Sequence, residues 1–298
     1  MTDPFADFPT DLEPRSRHLG PFPHGPFLRA VTRALTPPAS DVIVATSADG
    51  AVAVVSSGDT TRFAADESVT DYHAPLGSGG ASLLAETVTG IGGTFDLDSL
   101  TGEEADAIAG EFTSRGVAVE REHHATTGVL DIPASFDDWL MSIGKKERHE
   151  VRRKRRKLEA EYGPWEVRVR GAEGVDAFCS LHRTAAGRKG GFMTDEMQAY
   201  FTDLVSETGA VIHDLVVDDH ILASAFGWEL DDGYYFYNSA FDAEASKAPP
   251  GAVLLSALIE RQIARNAEVF DFLKGAETYK YRHGAEARPL YRLTGRIP

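Results

Sequence analysis

Residues 166–298 constrain this chain most, because they read as one unbroken succession of short elements with little room between them. WEVRVRG alternates as a strand, and GVDAFCSLHRTAAGR sets Val175, Phe178, Cys179 and Leu181 at helical spacing. After Gly190-Gly191 a second helix begins at Thr194 and runs through TDEMQAYFTDLVSETG. AVIHDLVVDD, ILASAFGWEL and GYYFYNSAFD are three strands joined by tight turns at Asp218-Asp219 and Asp231-Asp232-Gly233. An apolar helix (GAVLLSALIERQIARN), a buried strand (EVFDFLKG), a helical turn (TYKYRHG) and a last strand (ARPLYRLTG) follow. The order β-α-α-β-β-β-α-β-α-β requires a mixed sheet with helices packed on it.

The first half reads as α+β. Pro26 opens the helix FLRAVTRAL, and Asp49-Gly50 marks a hairpin between DVIVATS and AVAVVSSG. A further strand is expected to end near Asp71-Tyr72. ASLLAETVTGI and TGEEADAIAGEFTSRG read as helices, the second with Thr101 and Glu104 as a capping box and Gly116 as its stop. TFDLDSL, VAVEREHH and GVLDIP read as strands, and residues 1–20 as disordered or irregular. Ser135 opens a helix that Gly163-Pro164 ends, with Gly144 as its weak point, so one long helix or two shorter ones are both open. The expected organisation is a domain over 21–134, a connecting helix over 135–162 and a second domain over 163–298.

Charge is unevenly spread. Residues 1–144 carry 22 acidic and 7 basic side chains with no lysine, whereas KKERHEVRRKRRK (145–157) carries 9 basic and 2 acidic ones, within a chain of net charge −16. A helix solvating itself and a docking surface for a phosphate-bearing partner both account for such a run. The overall negative charge argues against bulk nucleic-acid binding. No run of ~18 apolar residues is present to cross a membrane. The acidic, Pro-rich start lacks the basic and apolar regions of a secretory signal. The single cysteine, Cys179, allows neither an internal disulfide nor a Cys-rich zinc site, and its helical position marks it as core. A reducing, cytoplasmic setting is expected. His123 and His124 are adjacent in a strand and face opposite ways, so no metal is expected there. Leu76-Gly77-Ser78-Gly79-Gly80 reads as a turn rather than a nucleophile elbow.

Three segments, LHRTAAGRKGGF (181–192), GYYFYNSAFDAEASKAPPGAVLL (233–255) and FDFLKGAETYKYRHG (270–284), resemble the CelD-like branch of the GNAT acyltransferase superfamily. Members of that branch are similar to the Fem-type peptidyltransferases in pairing two GNAT-like halves. The resemblance implies an α/β protein with mixed sheets: a degenerate N-terminal GNAT-like half, a long basic connecting helix and an active C-terminal half. It implies transfer of an acyl group, acetyl above all, from acetyl-CoA or another acyl-CoA to an amine. Two other functions stay open: a Fem-type transferase drawing on aminoacyl-tRNA for a cell-envelope precursor, with RNA on the 145–157 helix, and a non-catalytic binder in polysaccharide assembly.

Such a transfer needs an anion site, a polarised thioester and proton traffic. The junction Ser246–Val253 can bring Lys247 and the backbone of Gly251, Ala252 and Val253 to CoA phosphates at a helix start, although it reads APPG where the family loop is Gly-rich. The resemblance places Ser239 and Ala240 on the strand along which GNAT proteins accept the donor's acyl arm. In a regular strand Tyr235 and Tyr237 share one face, where they are expected to meet substrate, and Asn238 lies on the other with Tyr234 and Phe236. Asn238 reads as an orienting group or as a turn former. Asp271 interrupts an apolar strand and reads either as the buried partner of a cation such as Lys280 or Arg282 or as a catalytic carboxylate. Tyr279 stands where many GNAT enzymes keep the acid for the thiolate, Lys280 beside it can steady an oxyanion, and Glu229 is a base acting through water. The resemblance places Arg188 and Lys189 in a region that lines the acceptor pocket of GNAT proteins, and two cations before two glycines read as a flexible lid or as a solvated turn.

Overall fold

A computed structural model describes residues 3–36, 40–184, 188–245 and 248–298, with the side chains of Arg188 and Lys189 outside that description. The elements fall into two compact units, residues 1–127 with 288–298, and residues 128–287. The mixed α/β class read from the sequence is what the structure shows.

The first unit begins with an irregular segment that is packed rather than disordered, since Phe5, Phe8 and Leu19 are buried. Helix α1 (Gly25–Leu35) precedes β1 (Asp41–Thr46), β2 (Ala51–Ser57) and β3 (Thr60–Phe63), then α2 (Gly80–Ile91), β4 (Thr94–Leu100), α3 (Gly102–Ser114) and β5 (Val119–Asp131). Thr101 caps α3 as its spacing to Glu104 predicts. Strands β3 and β4 are parallel and paired at Thr60↔Thr94 and Thr61↔Phe95. Beyond that they separate, and the stretch around Tyr72–Leu76 threads the space in an extended but irregular path, where the sequence predicts a strand end. His73 donates its backbone N–H to Ser99 O, and its ring meets Ala65 O and Asp98 O, each at 3.1 Å. That ring stacks on Phe63 at 4.8 Å.

The second unit opens with α4 (Phe136–Ser142) and α5 (Lys145–Tyr162). Of the two readings of 135–162, the structure shows two helices: Ile143 is extended, closing α4, and Gly144 starts α5 without a side-chain cap. Strand β6 (Glu166–Arg170) leads to α6 (Val175–Arg183), α7 (Arg188–Phe192) and α8 (Asp195–Thr208). Strands β7 (Val211–Val217), β8 (His220–Glu229) and β9 (Gly233–Phe241) follow, then α9 (Pro250–Arg265), β10 (Val269–Lys274), α10 (Thr278–Arg282) and β11 (Glu286–Arg296). Asp218 and Asp219 both take left-handed φ, 47° and 65°, in the turn between β7 and β8. Within this unit the strand order is β10-β9-β8-β7-β6, and within the first it is β1-β2-β3-β4-β11. The unit boundary therefore lies inside β5 rather than at residue 134. Residues 288–298 return to the first unit because β11 pairs antiparallel with β4. Helix α9 buries Val253, Leu254, Leu255, Leu258 and Ile259 against Tyr234, Phe270 and Phe272, and Val151 and Leu158 of α5 join that core. Buried Cys179 belongs to the packing of α6, and burial pushes its thiol up to about 11.

Candidate functional site

Two irregularities in β9 and β10 build the site. Opposite β8, Phe226 pairs with Asn238 and Gly227 with Phe236, so Tyr237 is an extra residue and β9 bulges there. Gly227 permits it, because a Cβ at that position would lie 2.3 Å from Tyr235 O. The second irregularity is the end of pairing between parallel β9 and β10, which match only at Val269↔Gly233, Phe270↔Tyr234 and Asp271↔Tyr235. Past that point no described backbone segment of the unit hydrogen-bonds to both strands, and a gap opens between Phe236–Phe241 and Phe272–Lys274. Leu273 takes a left-handed φ of 61°, and its N–H donates to Asp271 Oδ1 at 2.7 Å.

The bulge overturns the regular alternation expected of this strand. Tyr237 packs on Trp228 at 5.1 Å and meets Tyr200 OH at 3.2 Å on the side of α6 and α8. Asn238 turns to that same side, where its Oδ1 accepts from His182 Nε2 at 3.1 Å and from the Ser239 N–H at 2.7 Å. Tyr234 and Phe236 stay on the α9 side. Tyr235 is buried and donates its hydroxyl to Asp232 Oδ2 at 2.7 Å, an anchoring bond at the foot of the strand.

Beside the gap, Phe272 gathers three aromatic rings, one from β9 and two from α10 and its C-cap: Phe236 at 6.4 Å, Tyr279 at 6.1 Å and His283 at 6.5 Å. Tyr279 is 38 % exposed, and burial of its remainder, with Glu277 nearby, pushes the phenol up to about 12. It therefore keeps its proton at neutral pH and has one to give. His283, four residues on, was not singled out by sequence reasoning; its signal was the spacing to Tyr279 across one helical turn. Its Nδ1 donates to Tyr279 O at 2.7 Å, and its ring lies nearly parallel to Trp139, whose Nε1 donates to His283 O at 2.9 Å. His283, Arg282 and Ala252 line a groove of about 180 Å³ with Lys146, Glu147, Glu150, Val151 and Lys154 of α5.

Lys280 is buried, and its ammonium donates to the carbonyls of Leu273, Lys274 and Gly275 at 2.8, 2.7 and 3.0 Å and pairs with Glu277 at 3.0 Å. It clamps the end of β10, so its partner is neither Asp271 nor an oxyanion. Asp271 is fully buried and holds the turn at Leu273. Glu229 is likewise engaged: Arg261 donates at 2.6 and 3.0 Å, Gln262 at 2.7 Å, and His213 Nε2 lies 3.3 Å away. Burial works to raise its pKa, but these donors outweigh burial and hold the carboxyl well below its usual range. A carboxylate so held is a poor proton acceptor, which corrects the general-base expectation.

Helix α9 starts at Pro250 with no side-chain cap and no acidic residue in its first turn. Its leading amides, at Gly251, Ala252 and Val253, are oriented to meet an anion. A Cβ at Gly251 would sit 3.6 Å from Phe241, so side chains fit there; Val253 turns its own into the core. Ser239 is half-buried at the bulged strand and Ala240 is buried against β8. Lys247 lies outside the described residues, as do the side chains of Arg188 and Lys189. On α5, Lys145, Arg148, His149, Arg152, Arg155 and Arg156 form one continuous basic face. Arg155 pairs with Glu260 and Arg152 lies 3.6 Å from Asp137. In the first unit Glu67, Asp98 and His124 bring ligand-type atoms within 4.8 Å of one another, His124 acting without His123. Arg292 already lies 2.6 Å from Glu67 there. No helix of the described residues is long and apolar enough to cross a membrane.

Residues 145–281 match the family model described as an acetyltransferase (GNAT) domain, which bears out the resemblance read from the sequence. Among solved structures, a conserved protein of unknown function from Bacteroides thetaiotaomicron is similar with a TM-score of 0.65 at 12% identity, covering 91% of this chain and 90% of that one. L-PGS from Bacillus licheniformis gives 0.63 at 12%, covering 91% and 87%. FemX gives 0.60 at 12%, covering 89% and 90%. At such identities these likenesses speak for the fold, which they share across both units. No curated protein matches the chain significantly.

Proposed function

We propose that the second unit transfers an acyl group, acetyl above all, from acyl-CoA to a primary amine. One observation carries this reading: a parallel strand pair that parts after three residue pairs, beside an uncapped helix start. The donor's pyrophosphate lies on the amides of Gly251, Ala252 and Val253, with Lys247 in the preceding loop. Its arm follows the edge of β9 past Ala240 and Ser239 toward the bulge. Attack of the amine on the carbonyl carbon makes the C–N bond and breaks the C–S bond, and Tyr279 returns a proton to the departing thiolate. Tyr237, with Asn238 and the Arg188-Lys189 start of α7, lies on the acceptor side. The site is cytoplasmic and acts without a metal in this reading.

Calorimetric titration with CoA and acetyl-CoA tests the donor. Gly251→Asp leaves folding intact, because an acid suits a helix start, yet it sets a like charge against phosphate and should weaken CoA at least ~10-fold, about 1.4 kcal/mol. Equal affinity in the variant counts against the whole site. Tyr279→Phe should keep its melting temperature and lose ~10²–10⁴-fold in rate.

The basic face of α5 favours a second reading, a Fem-type transferase that takes its acyl group from aminoacyl-tRNA and acts on an envelope precursor. Phosphate contacts there would make binding fall steeply with salt. Tight, salt-sensitive tRNA binding without CoA binding selects this reading over the first.

A further inference from the structure

Resting on the acyltransferase reading, we infer that His283 is the group that takes the proton from the attacking amine. Its placement carries the argument. Nδ1 is committed as a donor, because the Tyr279 carbonyl at 2.7 Å can only accept. In the neutral ring this leaves the lone pair on Nε2, which has no partner among the described residues. The ring cannot easily turn to exchange its nitrogens: it lies against Trp139 at 6.2 Å, with Phe272 and Tyr279 along its edges. His283 also forms part of the groove wall with Ala252, in the first turn of α9 where the donor is expected.

The charged groups around it keep the imidazole ready. Burial is the largest influence and lowers its pKa, the Tyr279 carbonyl raises it, Lys154 lowers it and Glu147 raises it. Lys146, Glu150 and Arg282 complete the charged lining of the groove. A ring whose pKa is lowered is unprotonated at neutral pH and can accept. Tyr279, four residues earlier, keeps its proton. Two residues on one helical turn thus divide the work. The amine nitrogen bonds to the acyl carbon, its proton passes to His283 Nε2, the C–S bond breaks, and the Tyr279 hydroxyl protonates sulfur. Solvent then exchanges one proton with each side chain to restore both. Glu229, held by three donors elsewhere, has no part in it.

Thiol release from acetyl-CoA with a panel of primary amines tests the assignment. His283→Asn keeps an N–H near the Nδ1 position for the Tyr279 carbonyl while removing Nε2. It should retain its CoA affinity and melting temperature, lose ~10²-fold or more in kcat, and lose the acidic limb of the pH–rate profile. His283→Ala should regain part of its rate in added imidazole, which a packing role would not produce. A variant with wild-type rate and an unchanged pH profile overturns the role of His283 and leaves the acyltransferase reading standing. A wild-type protein that neither binds CoA nor releases thiol overturns both.

Discussion

The two units contain the same device in opposite conditions. In each, two parallel strands pair briefly and then part, β3 from β4 and β9 from β10. In each, the strand on the far side carries a left-handed residue that is not glycine, Ser99 at φ 60° and Leu273 at φ 61°. An aspartate steadies both: Ser99 Oγ bonds Asp98, and the Leu273 N–H bonds Asp271. The first unit then fills its gap. His73 reaches the Ala65 carbonyl on one side and Asp98 on the other, and its own backbone bonds Ser99. Among the described residues the second unit has no such crosspiece, and the Lys280 ammonium gathers the carbonyls at the end of β10 and at Gly275 just beyond it. A parted strand pair alone is therefore a fold feature. What sets the second pair apart is that no described backbone segment of its unit bridges the two strands beyond Asp271↔Tyr235.

Removing Lys280 should have the largest effect on stability. Lys280→Met leaves one buried and two part-buried carbonyls without their donor, the buried one alone worth ~1–3 kcal/mol, and should cost ~3–5 kcal/mol in urea unfolding. A loss under 1 kcal/mol would mean the gap stays shaped without the clamp, and that the two units do not differ in how their parted strands are held. His73→Ala is the counterpart in the first unit. It should cost ~2–3 kcal/mol for the lost crosspiece and its cavity, and leave CoA affinity unchanged. If that variant gained a second CoA site, the two gaps would differ only in their filling.

The smallest effect is in pH dependence. Burial lowers the pKa of His283 in the folded state, so as pH falls below about 6.5 the unfolded chain takes up a proton first. The stability present above that pH is lost as pH falls toward the folded value. His283→Asn should therefore lose less stability than wild type between pH 7.5 and 5 in parallel urea titrations.

Much of the second unit is legible in its sequence, because its strands alternate cleanly, its turns carry Asp-Asp and Asp-Gly, and Thr194 caps α8 as its position predicts. What escapes is what depends on a neighbour. Tyr237 is an ordinary strand residue until β8 presents Gly227 opposite it, and then Asn238 changes face. Lys280 reads as a partner for Asp271 because both are costly to bury. The left-handed turn at Leu273 consumes Asp271 and exposes carbonyls that suit the ammonium better. Glu229 reads as a spare acid because Arg261 and Gln262, which bind it, lie a whole helix later. His283 was passed over beside three louder residues in TYKYRHG. The crosspiece at His73 falls in a stretch without periodicity, where sequence alone gives an approximate strand end and no role.

The return of residues 288–298 to the first unit sets an order of assembly. Strand β11 pairs with β4 from Tyr291↔Leu100 to Arg296↔Thr94, partners separated by the whole of the second unit. During synthesis the first unit must wait with β4 lacking that neighbour while residues 128–287, contiguous in sequence, are made and can close on themselves. The unit with the open gap is thereby the earlier to mature, and the unit with the filled one is completed afterwards. Trimming the chain at residue 287 would spare every residue assigned here to chemistry and still leave β4 exposed along one side, an edge open to pairing with other chains.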